Sequence, residues 1–478
     1  MLTENTSTAS EALPLFVDLD GTLIKTDLMF ESICVLIKRN PFSLIVIAIW
    51  LLQGRAFLKA RLAEQVDLNI SQVPFNVEFL SFLGKEKRNG RRLILISAAN
   101  QSALRKFAEP LQLFATCIGS DEQINLKAKA KLKRIKEMNN GKPFSYAGNS
   151  KADVPVWKAA AEVIRVNCSS SLARHISETK PSREFDQSGL RIRFLWQAMR
   201  PHQWAKNGLL FIPLTLAHQI TDFHRLLHTF VGFICFCLMA SSVYLSNDLM
   251  DLKSDRLHST KRKRPLAAGT LPIQTGIAVA VILLLAAFAL AHLQPGDFIV
   301  ILFSYWMLTV LYSVLLKRFF LLDLMTLASF YSLRLEAGAQ AAEVSASVWL
   351  LGFSMALFFG LAALKRVIEL SKSSHAAELP GRAYARGDLN SIAMLGIFAC
   401  ACSVLVFIFY IYAEETKALY RSPELLWPIA GLLGGILFRA WWLTRQGALS
   451  EDPVLLAVTD RPSQVAIALM FLVLWFAI

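Results

Sequence analysis

Asn247, Asp251 and Asp255 stand four residues apart within YLSNDLMDLKSDRLHSTKRKRPLAAG (244–269), with Asp248 one position round. On a continuous helix that spacing lays three oxygen-bearing side chains along one face. Carboxylates this close repel one another unless a cation joins them. Hard oxygen ligands suit Mg2+, which binds through one or two carboxylates together with substrate phosphates. A solvated loop serving topology alone accounts for the following cations, Lys261 and Arg264 among them, but not for the regular acid spacing. A second constellation opens the chain. LPLFVDLDGTLIKTD (13–27) reads as a buried strand, Leu15 to Val17, delivering Asp18 and Asp20 to a Gly-containing turn. RLILISAAN (92–100) is a strand ending at Ser97, NLKAKAKLKRI (125–135) places lysines on a helix, and FSYAGNSKADVPVW (144–157) is a strand and a turn carrying Asn149 and Asp153.

The elements around these residues divide the chain. Its 478 residues are 54% apolar, more than a soluble core requires, and allow two domains. Residues 1 to about 190 hold no apolar run long enough to span a bilayer. From 204 onward such runs recur at 204–220, 226–246, 275–293, 298–316, 321–339, 347–367, 391–413, 424–443 and 463–478. Nine crossings are expected, with eight as the lower bound because the first and last are short or weak and the first contains Pro213. Lys and Arg concentrate in alternate loops: Lys253, Arg256, Lys261, Arg262, Lys263 and Arg264 in one, and Lys365, Arg366, Lys372, Arg382 and Arg386 near another. This positive-inside pattern places the acidic stretch on the cytosolic face. The opening MLTENTSTASEALPLFVDLDGT has neither the basic start nor the apolar core of a cleavable signal, so the first half is expected in the cytosol. The net charge of +14 follows loops beside membrane helices, with no nucleic-acid-reading motif, and so points to phosphate or anionic lipid. Cys235/Cys237 and Cys400/Cys402 lie inside apolar runs and read as small-residue packing rather than metal ligands.

Further polar groups are expected on the same side of the bilayer. Tyr312, Ser313 and Lys317 close the fourth span; Asp323 and Arg334 interrupt the fifth; Lys365, Arg366 and Glu369 end the sixth. Ionisable side chains there are costly and are functional candidates by default. Snorkelling anchors are the plain alternative for Lys317 and Arg366, and a buried partner such as Glu336 or Asp323 for Arg334.

The pattern N-x-x-x-D-x-x-x-D after the second of nine spans resembles the UbiA superfamily of intramembrane prenyltransferases, from about residue 195 to the end. RPHQWAKN (200–207), with Lys206 and Asn207, together with HSTKRKRPLAAG, LYSVLLK and KRVIEL, resembles its polyprenyl-phosphate (decaprenyl-phosphate) phosphoribosyltransferases more than its aromatic prenyltransferases. Where the latter carry a second D-x-x-x-D, this chain has Lys365, Arg366 and Glu369. One acidic motif facing a cationic rim suits one Mg2+ and a more heavily phosphorylated substrate pair. The resemblance implies phosphoribosyl pyrophosphate as donor and a polyprenyl phosphate as acceptor. It implies Mg2+ on Asp251 and Asp255, with Asn247 and Asp248 assisting. Lys206, Lys261, Arg264, Lys317, Lys365 and Arg366 become candidates for the substrate phosphates, and Asn207, Tyr312, Arg334 and Glu369 complete the expected binding set.

The four ordered motifs of the first half resemble haloacid dehalogenase-type phosphatases. That resemblance implies Asp18 as nucleophile, Asp20 as general acid and base, and Ser97 with Lys131 holding the transferring phosphoryl group, Lys127 being the alternative lysine. A second Mg2+ would bind Asp18, the Asp20 carbonyl, Asn149 and Asp153. Asn149 stands where the family commonly has an acid, which would weaken the metal site or leave an inactive scaffold. The expected architecture is multidomain. An α/β Rossmann-like domain occupies 1–168 with a helical cap at about 28–90, a polar linker follows at 169–190, and an all-α membrane domain runs from 191 to 478. The run PFSLIVIAIWLL (41–52) is too short to span and is expected against the membrane surface. The expected function is sequential: phosphoribosyl transfer to the lipid, then removal of the 5-phosphate, in a bacterial inner membrane with both sites facing the cytosol. A homo-oligomer is compatible with the sequence. The alternatives are a prenyltransferase acting on an aromatic acceptor, and a transport or lipid-binding protein with an inert phosphatase-like domain.

Overall fold

The computed structural model describes residues 12–121, 124–168, 172, 182–185, 192–372, 384–448 and 460–477. The chain forms two compact units, Met1–Pro201 with Ser241–Ile282, and His202–Ala240 with Leu283–Ile478.

The first unit is built on a six-stranded, wholly parallel sheet. Its strands are β1 (Leu15–Val17), β2 (Leu93–Asn100), β3 (Thr116–Ser120), β4 (Ser145–Gly148), β5 (Glu162–Val166) and β6 (Ser182–Phe185), in the order β3-β2-β1-β4-β5-β6. Helices on both faces explain why β1 and β4 are continuous buried runs rather than alternating ones. Between β1 and β2 come α1 (Leu28–Arg39), α2 (Ser43–Leu52), α3 (Arg55–Gln65) and α4 (Val77–Arg88). After β2 come α5 (Gln101–Ala108), α6 (Lys129–Met138) and α7 (Val154–Ala159). The Asp27 carboxylate caps α1, accepting from the Met29 and Phe30 amides at 2.9 and 3.4 Å.

Two expected boundaries move. The cap is α1 to α3, which share their own core of Leu36, Ile47, Leu58, Leu62 and Val66, whereas α4 puts Phe79, Phe82 and Leu83 into the sheet core. The stretch 169–190 is not all linker, because residues 182–185 extend the sheet beside β5, and Phe185 packs on Phe79 and Phe82 with ring centroids 5.3 and 5.0 Å apart. One aromatic among polar neighbours is enough to seat an edge strand. Most of the remaining stretch, like Arg382, lies outside the described residues.

After α8 (Ile192–Met199) and α9 (Phe211–Leu216), the long helix α10 (Phe223–Met250) brings its end into the first unit. It is followed there by α11 (Leu252–Leu257) and the start of α12 (Ile273–Ala291). Asp251, at φ −100° and ψ 10°, breaks the helix between α10 and α11. This segment packs against the cap. Arg256 forms a two-pronged ion pair with Glu31 at 2.6 and 3.1 Å, Lys38 meets Asp251 at 2.7 Å, and Gln274 donates to Asp27 at 3.1 Å.

The second unit is helical: α13 (Phe298–Val314), α14 (Phe320–Ala341), α15 (Val348–Lys372), α16 (Leu389–Tyr412), α17 (Glu414–Leu419), α18 (Trp427–Arg445) and α19 (Arg461–Ala477), with α9 and the outer parts of α10 and α12. Among the described residues five helices are long and apolar enough to cross a membrane: Phe223–Met250, Ile273–Ala291, Val348–Lys372, Arg386–Tyr412 and Pro423–Arg445. Phe298–Val314 and Arg461–Ala477 are apolar but shorter. The run expected to span at 204–220 is no single helix. Pro201–Leu210 is a 3-10 segment and α9 has six residues, with Pro201 and Pro213 each lacking an amide donor. Gly338 lets α14 approach this stretch, since a Cβ there would collide with the Leu210 carbonyl.

Candidate active sites

Asp18 follows β1 directly, Ser97 lies near the end of β2, and Asn149 follows β4. β1 has β2 on one side and β4 on the other, so these residues gather at the carboxyl ends of three adjacent strands where the chain order reverses. That crevice is where open α/β sheets bind ligands. The Asp18 amide donates to the Ala147 carbonyl at 3.0 Å, tying its loop to β4, and the buried Ser97 Oγ accepts from the Ala99 amide at 3.1 Å.

Lys131, rather than Lys127, reaches this crevice. Its Nζ lies 2.9 Å from Asp18 Oδ1, 3.3 Å from Asp153 Oδ1 and 2.9 Å from the Tyr146 hydroxyl. Burial pulls the lysine pKa down, and the two carboxylates more than offset this. Burial raises Asp18 to about 6 against the pull of Lys131, so it is ionised at neutral pH. Burial, with the charge of Asp27 added, raises Asp20 well above the usual carboxylate range. Two carboxyl groups two residues apart are thus divided into an anion and a proton donor. Asp20 Oδ1 accepts from the Leu28 amide at 3.0 Å. A cavity of about 50 Å³ beside it is lined by Lys59 of α3 and by Asn100 and Lys106.

Asp153 differs from expectation. Its oxygens accept from Lys131, the Tyr146 hydroxyl at 2.6 Å, the Ser150 amide and hydroxyl at 3.0 and 2.9 Å, and the Asn149 amide at 3.3 Å. It is spent on orienting Lys131 and the turn, and Lys131 helps hold its pKa down although burial opposes this. The hard-oxygen donors left for a divalent cation are Asp18, the Asp20 carbonyl and Asn149, whose amide lies against Gly21 at φ +75°. Tyr146 was missed in the sequence because it occupies one place in an apolar strand.

At the end of α10 the acids separate. Asp248 and Asp255 are both buried, and both accept from one Arg264 nitrogen, at 3.1 and 2.7 Å; Arg200 also binds Asp248. Asp251, the middle residue of the expected face, meets Lys38 at 2.7 Å instead of Arg264. Its backbone keeps the helical ladder, with the Asp251 amide on the Asn247 carbonyl at 2.9 Å and the Asp255 amide on the Asp251 carbonyl at 2.8 Å, although Asp251 itself is non-helical. Among the described residues no three His, Cys, Asp or Glu side chains converge on one point. Two carboxylates close enough to share a single nitrogen fit the habit of Mg2+, whose remaining ligands come from substrate phosphate and water. Arg200, the first residue of RPHQWAKN, was the partner the sequence reading passed over.

Two buried networks occupy the second unit. Arg366 is 1% exposed, and its guanidinium donates to Asp323 at 2.6 and 3.0 Å, to the Tyr312 hydroxyl at 3.2 Å and to Glu369 at 2.8 Å. Tyr384 donates to Asp323 at 2.8 Å. This is a satisfied ion pair, so Arg366, Tyr312 and Glu369, expected on substrate, meet Asp323 and one another. Arg334 donates to Asn207 at 2.9 Å, the Tyr305 hydroxyl at 2.7 Å and the Phe330 carbonyl at 2.7 Å. Neither Glu336 nor Asp323 is its partner, and Asn207 donates in turn to Cys237 Sγ at 3.3 Å. Lys206 lies in the Pro201–Leu210 segment, Lys261 in an exposed turn, Lys317 just beyond α13, and Lys365 beside Arg366.

Residues 209–459 match the model of the UbiA prenyltransferase family. The chain is 32% identical over 468 residues to the uncharacterized protein y4nM of Sinorhizobium fredii, covering 94% of this chain and 88% of that one. It is 32% identical over 280 residues to nodulation protein NoeC of Azorhizobium caulinodans, covering 57% and 89%. It is 29% identical over 279 residues to decaprenyl-phosphate phosphoribosyltransferase of Mycobacterium tuberculosis, covering 56% and 89%. With a helical membrane unit and a family match across more than half its length, the chain belongs to the UbiA prenyltransferase family.

Proposed function

We propose that the protein makes a lipid-linked ribose in two steps, transferring 5-phosphoribosyl from phosphoribosyl pyrophosphate to a polyprenyl phosphate and then hydrolysing the 5-phosphate. The observation that carries the first step is the convergence of buried Asp248 and Asp255 on Arg264 just where a membrane-length helix ends. A relative named for phosphoribosyl transfer supports it. In this step the lipid phosphate oxygen attacks ribose C1 as the bond from C1 to pyrophosphate breaks. The acceptor is already anionic at neutral pH, so no base is required, and catalysis rests on positioning and charge. Asp248 and Asp255, with Asn247, would hold Mg2+; Arg264 and Arg200 steady these acids and, with Lys261, serve the donor's phosphates. Arg366 and Arg334 keep their helices in place.

The second step belongs to the sheet, read as a phosphatase of the haloacid dehalogenase type. Asp18 attacks the 5-phosphorus, Asp20 gives its proton to the departing ribose oxygen, and Asp20 then takes a proton from the water that releases phosphate from Asp18. Ser97 and Lys131 orient the phosphoryl oxygens, and Asp153 holds Lys131. Mg2+, when bound in either site, supplies positive charge against the phosphate oxygens. Both sites face the cytosol in this reading, and the membrane part crosses nine times.

Membranes carrying the protein, given radiolabelled phosphoribosyl pyrophosphate, polyprenyl phosphate and Mg2+, should yield an organic-extractable ribosyl lipid without its 5-phosphate. Asp18→Asn should leave that phosphate on. Transfer only from a prenyl diphosphate to an aromatic acceptor would replace the first step, and unchanged dephosphorylation by Asp18→Asn would remove the second.

A further inference from the structure

We infer that α2 is an interfacial anchor, seated in the membrane leaflet nearest the cap as a fixed contact between the soluble domain and bulk lipid. Its sequence, SLIVIAIWLL, is apolar all round, and it buries only Ser43 and Ile47. Phe42 is 76% exposed, Ile45 63%, Ile49 50% and Leu52 89%, with Leu44, Val46 and Leu51 exposed beside them. A soluble domain has no use for a continuous apolar surface of this kind, and a helix apolar on every side belongs in protein core or in lipid. Ten residues rise only about 15 Å, half a hydrocarbon core, so α2 can enter one leaflet and cannot cross.

The occupant follows from where α1 sits. Its N-cap Asp27 accepts from Gln274, the second residue of the membrane-length helix Ile273–Ala291. Its last turn places Lys38 on Asp251, one residue beyond the membrane-length helix Phe223–Met250. Glu31, between them, holds Arg256. α1 is thereby fixed at both ends to the points where two spans leave the bilayer, and α2 begins five residues after Lys38. Exposed Arg39 and Arg55 flank it, placed for lipid phosphates. A bilayer beside the spans is required whatever reaction the protein performs, so this inference does not rest on the proposed chemistry.

The test is site-specific photocrosslinking in the full chain, reconstituted in nanodiscs of radiolabelled phosphatidylcholine and phosphatidylglycerol. A photoreactive residue replaces Ile45, Ile49 or Leu52 in turn, with Arg134 on the exposed face of α6 as control. At least tenfold more lipid adduct at the three α2 positions than at Arg134 is expected. Equal labelling at all four, adducts only to a second copy of the chain, or no lipid adduct at α2 would each overturn it. Both enzymatic steps can fail without altering this readout.

Discussion

Lys131→Met removes the ammonium that Asp18 and Asp153 share while keeping an unbranched chain of similar length in its place. The nitrogen lies 2.9 and 3.3 Å from the two carboxylates, all three side chains are 10% exposed or less, and its loss leaves two acids facing each other in a dry crevice. Breaking a buried pair from one side costs about 3–5 kcal/mol, a large share of the roughly 5–15 kcal/mol that holds a domain. Protonation is the escape. Burial already lifts Asp18 to about 6 with the lysine present, and without it the value rises further. A carboxyl group whose folded pKa exceeds its unfolded one gives stability that is complete below the unfolded pKa and lost as pH rises through the folded one. The variant's deficit should therefore be greatest near pH ~8 and shrink towards pH ~5, a steeper trend than the parent's. Pulse proteolysis of the first unit, in the full chain in nanodiscs across a urea series at both pH values, reads this directly. A deficit under about 1 kcal/mol at the higher pH, or one that grows on acidification, would refute the buried-pair reasoning.

Three other perturbations have defined outcomes. Asp255→Asn should lower ribosyl transfer by at least about 100-fold, with chelation silencing the parent and Mg2+ restoring the parent alone. Arg366→Lys cannot reproduce the two-pronged contact with Asp323 and still reach Tyr312 and Glu369, so detergent-solubilised protein should lose about 2–4 kcal/mol of stability, seen as a lowered Tm. Gly21→Ala places a methyl group against the Asn149 amide at a backbone angle that costs about 1–2 kcal/mol for a side chain, so dephosphorylation should fall while ribosyl transfer holds.

The grouping of residues around Asp18 was largely legible because its signals are local. An apolar strand, two acids and a glycine turn fall within ten residues, and the helical spacing of 125–135 carried the choice between Lys127 and Lys131 to within one turn. The membrane side was legible in class and blurred in detail, because a sequence displays charge without showing what answers it. Arg366 looked available to substrate, yet its counter-charge Asp323 lies 43 positions away. Asp251 carries the register of a metal ligand, but the sequence does not display that Lys38, 213 positions earlier, meets it. Strand β6 was invisible because an edge strand held by one aromatic carries no periodic pattern.

The clasp between Arg256 and Glu31 constrains how this chain can be rearranged. A soluble domain hung on a flexible tether could be traded for another with little consequence. Here a substitute would have to offer a carboxylate at the same spot or strand a guanidinium in a buried contact. The carboxylate on α1 and the guanidinium on α11 therefore limit each other's replacement.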